Sequence, residues 1–600
     1  MNKQIVASLV AASFFPVSTW AEQNTETVVV TASRFAQSDA SVLQSATILT
    51  RQDIARLQAR SLVDVLRTVP SIEIAQNGGR GQSAFIFMRG TESDHSLVLI
   101  DGVRMASSIT GSVDFNQIPV NSIERIEIIR GARATLYGSS AIGGVINIIT
   151  KTDKERANVS ATVGSLDHHA VSGTWSTTLG DNGHFSGIAG YESNDGYNVH
   201  PTTSNLGDQH GFTGRNAQLG YSHRWNTSWS ADVTGRWYQN EYDYDYSNQI
   251  KHSWLESQAL AGNLNYRSGH WSATLSGEFS QRDKYDYFPG TVRKENKTSD
   301  VEQVSTSLGL QYQATEDWLL GGGVDYRQDT FNEGSLISNP DDIAINPRDN
   351  LGTYLLTQFS PVEALSIEAS ARSDDNEQYG QHTMWQTSAG LAIADGYQLV
   401  ASYGTAFKAP SLTELYGWGG NATLKPEESS NTELALRGVT ADVDWSLTGY
   451  INNIDNMIDW DNEAKKNRNI GEVTIKGIEL IASFDVASLH NQLSLEYKDP
   501  KKDKTGEQLQ RRAKRVAKWD ASYQWERVQL GTQWQYQSER TDWNGRLDSY
   551  SLWAVTASYQ ATDHLTVKGK VDNVFDKEYE TAGGYPAAER AYFMTLDYQY

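Results

Sequence analysis

From about residue 160 to the C-terminus, segments of about ten residues alternate apolar and polar positions, separated by loops rich in Asp, Asn, Gly and Ser. A period of two held over hundreds of residues dictates strands, each with one face for water and one for lipid or a core. Between Trp229 and Trp237 the set Trp229, Ala231, Val233, Gly235 and Trp237 interleaves with Ser230, Asp232, Thr234 and Arg236. From Trp271 to Ser280, Ala273, Leu275, Gly277 and Phe279 alternate with Ser272, Thr274, Ser276 and Glu278 in the same way. No run reaches the roughly 18 apolar residues that a membrane-spanning helix needs, which excludes a polytopic helical membrane protein.

Aqueous β-sandwiches alternate as membrane barrels do, so aromatic placement has to separate them. Trp229 and Trp237, or Trp271 and Phe279, lie on the apolar face near both ends of a segment, where two interfacial girdles would border an apolar band. The last segment carries Tyr592, Met594, Leu596, Tyr598 and Tyr600 on one face, an ending typical of outer-membrane barrels. At about 20 residues per strand with its share of loop, roughly 450 residues allow on the order of 22 strands, a barrel wide enough to need a plug.

The plug is expected earlier in the chain, over residues 35–150. Thr50 is placed to cap a helix through Arg51, Ile54 and Leu57, and Ser61 one through Leu62, Val65 and Leu66 that stops before Pro70. Strand-like runs follow at Ala84 to Met88, Leu97 to Ile100, Ile123 to Ile129 and Val145 to Ile149. The expected fold is therefore an all-β transmembrane barrel of about 22 antiparallel strands over 151–600, with an α+β plug inside its lumen.

Ahead of the plug, Lys3, the apolar stretch Ile5 to Phe15 and the small residues Thr19 and Ala21 read as an export signal over 1–21, cut after Ala21. The mature chain would then lie outside the cytoplasm and begin with the segment 22–34. That segment contains the β-prone heptapeptide Glu26, Thr27, Val28, Val29, Val30, Thr31 and Ala32, suited to pairing edge-on with a partner's sheet or to serving as the first plug strand.

Several functions are disfavoured. The absence of cysteine removes disulfides, thiolate metal sites and cysteine nucleophiles. A formal charge of -22 repels phosphate backbones, so nucleic acid is not an expected partner. The glycines between Gly131 and Gly144 lack a Gly-Lys-Ser/Thr ending and suit tight turns better than a phosphate loop. Neither a Gly-x-Ser-x-Gly elbow nor a His-Glu-x-x-His pair occurs, and no enzymatic activity is expected. The acidic, aromatic stretches Asp195 to Asp208 and Glu241 to Asp245 would serve as calcium loops or as solvated negative loops, but Asn248 stands where an EF-hand needs glycine.

The plug phrases Asp64-Val65-Leu66-Arg67, Arg89-Gly90, Leu99-Ile100-Asp101-Gly102-Val103-Arg104, Ile128-Ile129-Arg130-Gly131, Leu136-Tyr137-Gly138 and Gly143-Gly144-Val145-Ile146-Asn147 resemble those of the TonB-dependent outer-membrane receptors. Further phrases, including Gln76-Asn77-Gly78-Gly79, Ala371 to Asn376, Trp385 to Gly390, Ala401 to Thr405, Lys408-Ala409-Pro410, Arg511 to Lys514 and Asn573 to Lys577, resemble the cobalamin-importing members of that family.

The resemblance implies active import of cobalamin across the bacterial outer membrane. TonB and its inner-membrane energising complex would supply the work through residues 26–32 as the TonB box, and outer-membrane lipids would surround the barrel. A receptor for a ferric siderophore or haem is the alternative within the family. A passive porin is disfavoured, because an obstructed pore with no release mechanism conducts little.

By the same resemblance, cobalamin would rest on Ser83, Phe85, Glu92, Ile109 and Thr110 of the plug, beneath Tyr244, Thr298, Arg511 and Trp543 of the barrel. Read as strand, Arg511 and Arg512 would face opposite sides; the group Arg511, Arg512, Lys514 and Arg515 equally suits a charged pore lining. No cofactor is required, and calcium is admitted at Asp208, Tyr242 and Asp243. Asn198, His210 and Lys251 stand where the family places carboxylates, a change that weakens a hard-cation site.

Overall fold

The computed structural model describes residues 29–30, 37–38, 43–105, 109–132, 134–150, 155–202, 207–337, 346–543 and 545–600. The export signal and most of the heptapeptide lie outside them. Twenty-two antiparallel strands form a closed barrel, beginning with Arg156–Gly164 and ending with Ala591–Gln599, which pair with each other to shut the ring. Among the described residues no helix is long and apolar enough to cross a membrane.

Alternation sets which face looks where. Trp229, Trp271, Phe279, Tyr592, Met594 and Tyr598 all project outward and are exposed, so the girdle residues meet lipid. The two ends of the barrel differ. At one end consecutive strands join through turns as tight as Ala441–Asp442, where both residues take the left-handed φ (48° and 67°) of a hairpin turn. At the other end long excursions span 409–426, 503–514, 538–549 and 573–590. Outer-membrane barrels keep short turns in the periplasm and long loops outside.

Within the lumen, Ala46–Thr50, Arg125–Arg130, Gly144–Ile149, Ser96–Ile100 and Val103–Arg104 form a five-stranded sheet in that order; Ser96–Ile100 and Gly144–Ile149 run parallel. The helices Arg51–Leu57 and Leu62–Thr68 start where expected, each in a capping box, Thr50 with Asp53 and Ser61 with Asp64. The second ends at Val69, held extended ahead of Pro70. Leu62, Val65, Leu66, Ile86, Ile126 and Ile146, fully buried, seal the plug's own core. Val29–Val30 pairs with Gln37–Ser38, not with the five-stranded sheet.

Candidate ligand-binding site

A plug hairpin, Ile72–Gln76 with Ala84–Met88, carries residues 77–83 toward the long-loop end. Its apex lies tight against the wall: Gly81 takes φ +88°, and a Cβ there would sit 2.7 Å from the Tyr242 side chain. Arg80 is bolted to Glu192 at 2.8 Å and lies over the Phe212 ring, while Gln82 donates to the Asp243 carbonyl at 2.6 Å. These contacts leave Ser83 exposed and Phe85 half-buried.

Arg511 stands beside Phe85, its guanidinium carbon 5.6 Å from the ring centre. Its Nε donates to Asp542 Oδ1 at 2.8 Å, and the same carboxylate accepts from the backbone N–H of Gly583 and of Trp543. This pins three external loops around one buried acid and leaves the Trp543 side chain exposed. Tyr585 completes that side, its ring 5.0 Å from His200, whose Nδ1 lies 3.3 Å from Asp245. Burial and then Asp245 push the Tyr585 phenol above its ordinary range, against the pull of Arg511.

Phe85 and Arg511 thus meet where the plug hairpin reaches the external loops, with Ser83 and Trp543 exposed and Tyr244 half-buried on the wall strand Trp229–Asp245. Other expected residues stand apart. Ile109 is buried against Phe331, Ile337 and Leu412, and its carbonyl accepts from Thr413, so its side chain turns away from any ligand above. Neighbouring Thr110 is exposed. Thr298 is buried with its hydroxyl donated to Asp286.

Arg511 and Arg512 do not lie in a strand. Arg511 has φ +64° in the loop ahead of Arg515–Trp525, so strand alternation does not govern the pair. Arg512 runs inward to Glu92 at 2.5 Å, to the carbonyls of Gly90 and Thr91, and over Phe87. Glu92 is thereby neutralised by the wall. Three residues on, the fully buried His95 meets Glu427, and Lys408 reaches Asp94 at 2.8 Å. Burial pulls the His95 imidazole toward neutrality, but Glu427 and Asp94 outweigh it and raise its pKa.

Residues at the positions matched to calcium ligands have partners of their own. Asp243 is engaged by His252, and His210 packs its Nδ1 near the Val199 N–H and the Tyr197 carbonyl. Among the described residues no three His, Asp or Glu side chains converge on a common point. Deeper in the lumen, Glu479 meets Ser71, Arg89 and Arg130, and Arg89 reaches Glu433 at 2.8 Å. Glu73 pairs with Lys498 at 2.6 Å.

Tyr585, His200 and Asp542 escaped the sequence reading. They sit in loops without periodicity, and only the fold brings 200, 542 and 585 together.

A closed barrel with outward girdles, filled by a plug whose apices meet long external loops, defines an outer-membrane receptor. The TonB dependent receptor-like β-barrel model matches residues 160–574 and the TonB-dependent receptor plug model residues 38–145. The chain belongs to the TonB-dependent receptors, and it is a transporter-receptor of the outer membrane rather than an enzyme.

It is 40% identical over 619 aligned positions, covering all of both chains, to the vitamin B12 transporter BtuB of Vibrio cholerae serotype O1, in strain M66-2 as in the El Tor strain. Among solved structures, the siderophore receptor PirA of Acinetobacter baumannii matches at TM-score 0.80 and 18% identity, over 92% of this chain and 98% of that one. A mutant of the ferric enterobactin receptor PfeA of Pseudomonas aeruginosa matches at 0.81 and 16%, over 96% and 100%. At such identities the two share the fold.

Proposed function

We propose that this receptor captures cobalamin in the cup formed by residues 77–85 of the plug and the external loops, and imports it with work supplied through TonB. The observation that carries this reading is the 40% full-length identity to vitamin B12 transporters. The chemistry of the cup supports it: cobalamin has many amides, one phosphate and broad apolar edges, which suit distributed polar contacts beneath and aromatics with an arginine above. Ser83 and Phe85 supply the floor; Arg511, Trp543, Tyr244 and Tyr585 supply the sides.

The deciding experiment is equilibrium binding of cyanocobalamin to purified protein, beside ferric enterobactin. Saturable binding of cyanocobalamin alone is expected; binding of the ferric siderophore alone would replace this reading with the other branch of the family.

Arg511→Ala is expected to weaken cobalamin by roughly 1 to 3 kcal/mol through a lost charge-assisted hydrogen bond. It also leaves Asp542 held only by backbone N–H groups, so Asp542→Asn serves as control. Unchanged affinity in Arg511→Ala would remove that residue from the site. Calcium is expected to matter little, with affinities in chelator and in millimolar calcium agreeing within about tenfold, or 1.4 kcal/mol. A larger effect would mean that loop oxygens beyond Asp208, Tyr242 and Asp243 build a site.

A further inference from the structure

The basic run ahead of Arg515–Trp525 is split by the barrel wall. Arg511 and Arg512 turn inward, whereas Arg515 is exposed on the outer face, directly across from Tyr497 in the ladder. One strand over, Lys501 and Lys514 share the single carboxylate of Asp499, at 3.2 and 2.7 Å, with their side chains more than 40% exposed. Lys476, across from Asp499 on the next strand, is also exposed. Lys476 and Arg515 form no ion pair among the described residues. Asp503, the next acid outward, is hydrogen-bonded to Thr474.

Their position against the apolar band matters. Ile478 and Tyr497 lie on the rung just below, with Leu480, Leu495 and Leu493 beneath in the same outward rows, and Ile478, Tyr497 and Leu495 are 48%, 49% and 41% exposed. Strand spacing puts the Cα atoms of Lys476, Lys501 and Arg515 roughly 8 to 14 Å apart, within reach of one group through their long side chains.

This is not the general character of the rim. On the strands Ile250–Ser268, Trp271–Tyr287 and Lys297–Thr315 the outward residues Glu256, Asp283 and Asp300 stand in one row, with Lys297 bridging Asp283 and Asp300. On a chain of net charge -22, this sector thus contrasts with that acidic row, at the external edge of the lipid-facing belt.

We infer that Lys476, Lys501, Lys514 and Arg515 form a docking site for the phosphate of an outer-leaflet lipid, whose acyl chains lie down the Ile478, Leu480 and Leu495 rows. Charge complementarity selects this occupant: two unpaired cations beside two that share one carboxylate, at the border of an apolar surface, match a headgroup anion joined to hydrocarbon, and a soluble anion would gain nothing from the rows below.

The test is lipid retention by the purified receptor in neutral detergent, read by native mass spectrometry while titrating lipid A, dephosphorylated lipid A, or lipid A with equimolar inorganic phosphate. Wild type is expected to hold lipid A, and the triple variant Lys476→Gln, Lys501→Gln, Arg515→Gln to hold it at least about tenfold more weakly. Lys297→Gln, on the acidic sector, should retain wild-type binding. Heat-modifiable migration of the triple variant checks that its barrel is intact. Equal retention of the dephosphorylated lipid, displacement by equimolar inorganic phosphate, or unchanged binding in the triple variant would each overturn the inference.

Discussion

Val29→Pro is expected to lower cobalamin uptake by cells at least about a hundredfold while leaving equilibrium binding unchanged, because proline removes a strand donor from a segment outside the plug's five-stranded sheet, where a partner's strand would pair. The fold supports this separation of effects. Among the described residues Val29–Val30 pairs with Gln37–Ser38, and the plug's five-stranded sheet does not include it. Among the described residues, a partner adding a strand here displaces a two-residue pairing. Val29→Ala keeps the N–H and should cost far less. Parallel loss of binding and uptake in Val29→Pro would make the segment structural instead.

Glu479→Ala should loosen the seating of the plug more than any change at the cup. It strips the carboxylate that Arg130 and Arg89 share deep in the lumen, and an uncompensated buried charge costs about 3 to 5 kcal/mol. Glu433 still pairs with Arg89, which leaves Arg130 as the exposed weakness. Single-channel recording in planar bilayers is expected to show frequent openings that wild type lacks, with heat-modifiable migration of the barrel retained. Glu479→Gln, which keeps a hydrogen-bond acceptor, should fall between. Conductance indistinguishable from wild type would show that the remaining contacts, such as Glu73 with Lys498, hold the plug by themselves.

Much of this fold is legible in the sequence because strand periodicity encodes facing directly. Trp229, Trp271 and Phe279 declare the lipid side by their spacing, and Thr50 and Ser61 declare helix starts by the chemistry of the first turn. The cup is legible only in part. Phe85 and Arg511 meet, but Ile109 packs into a buried cluster and Thr298, on the strand Lys297–Thr315, gives its hydroxyl to Asp286, because spacing in the sequence does not say which partners a loop or strand end finds. Arg511 illustrates the limit: a run of cations carries no turn signal, yet its φ of +64° takes the chain out of strand geometry. Tyr585 has no local signature at all, and His200 lies in the stretch Asp195 to Asp208, which reads as an acidic loop.

The ring closes by pairing Arg156–Gly164 with Ala591–Gln599, so that Thr162 hydrogen-bonds Thr595 across 433 positions of sequence. The other barrel strands pair with their immediate neighbours in the chain. Hairpins can therefore zip locally and early, but the final seam is a contact of extreme sequence separation, the slowest kind to form. Until the last residues emerge, both seam strands present bare backbone edges together with outward aromatics such as Tyr592 and Tyr598, a combination that invites aggregation. Assembly is thus committed late and all at once, and the nascent chain has to be shielded on its way to the membrane until the Ala591–Gln599 strand is in place.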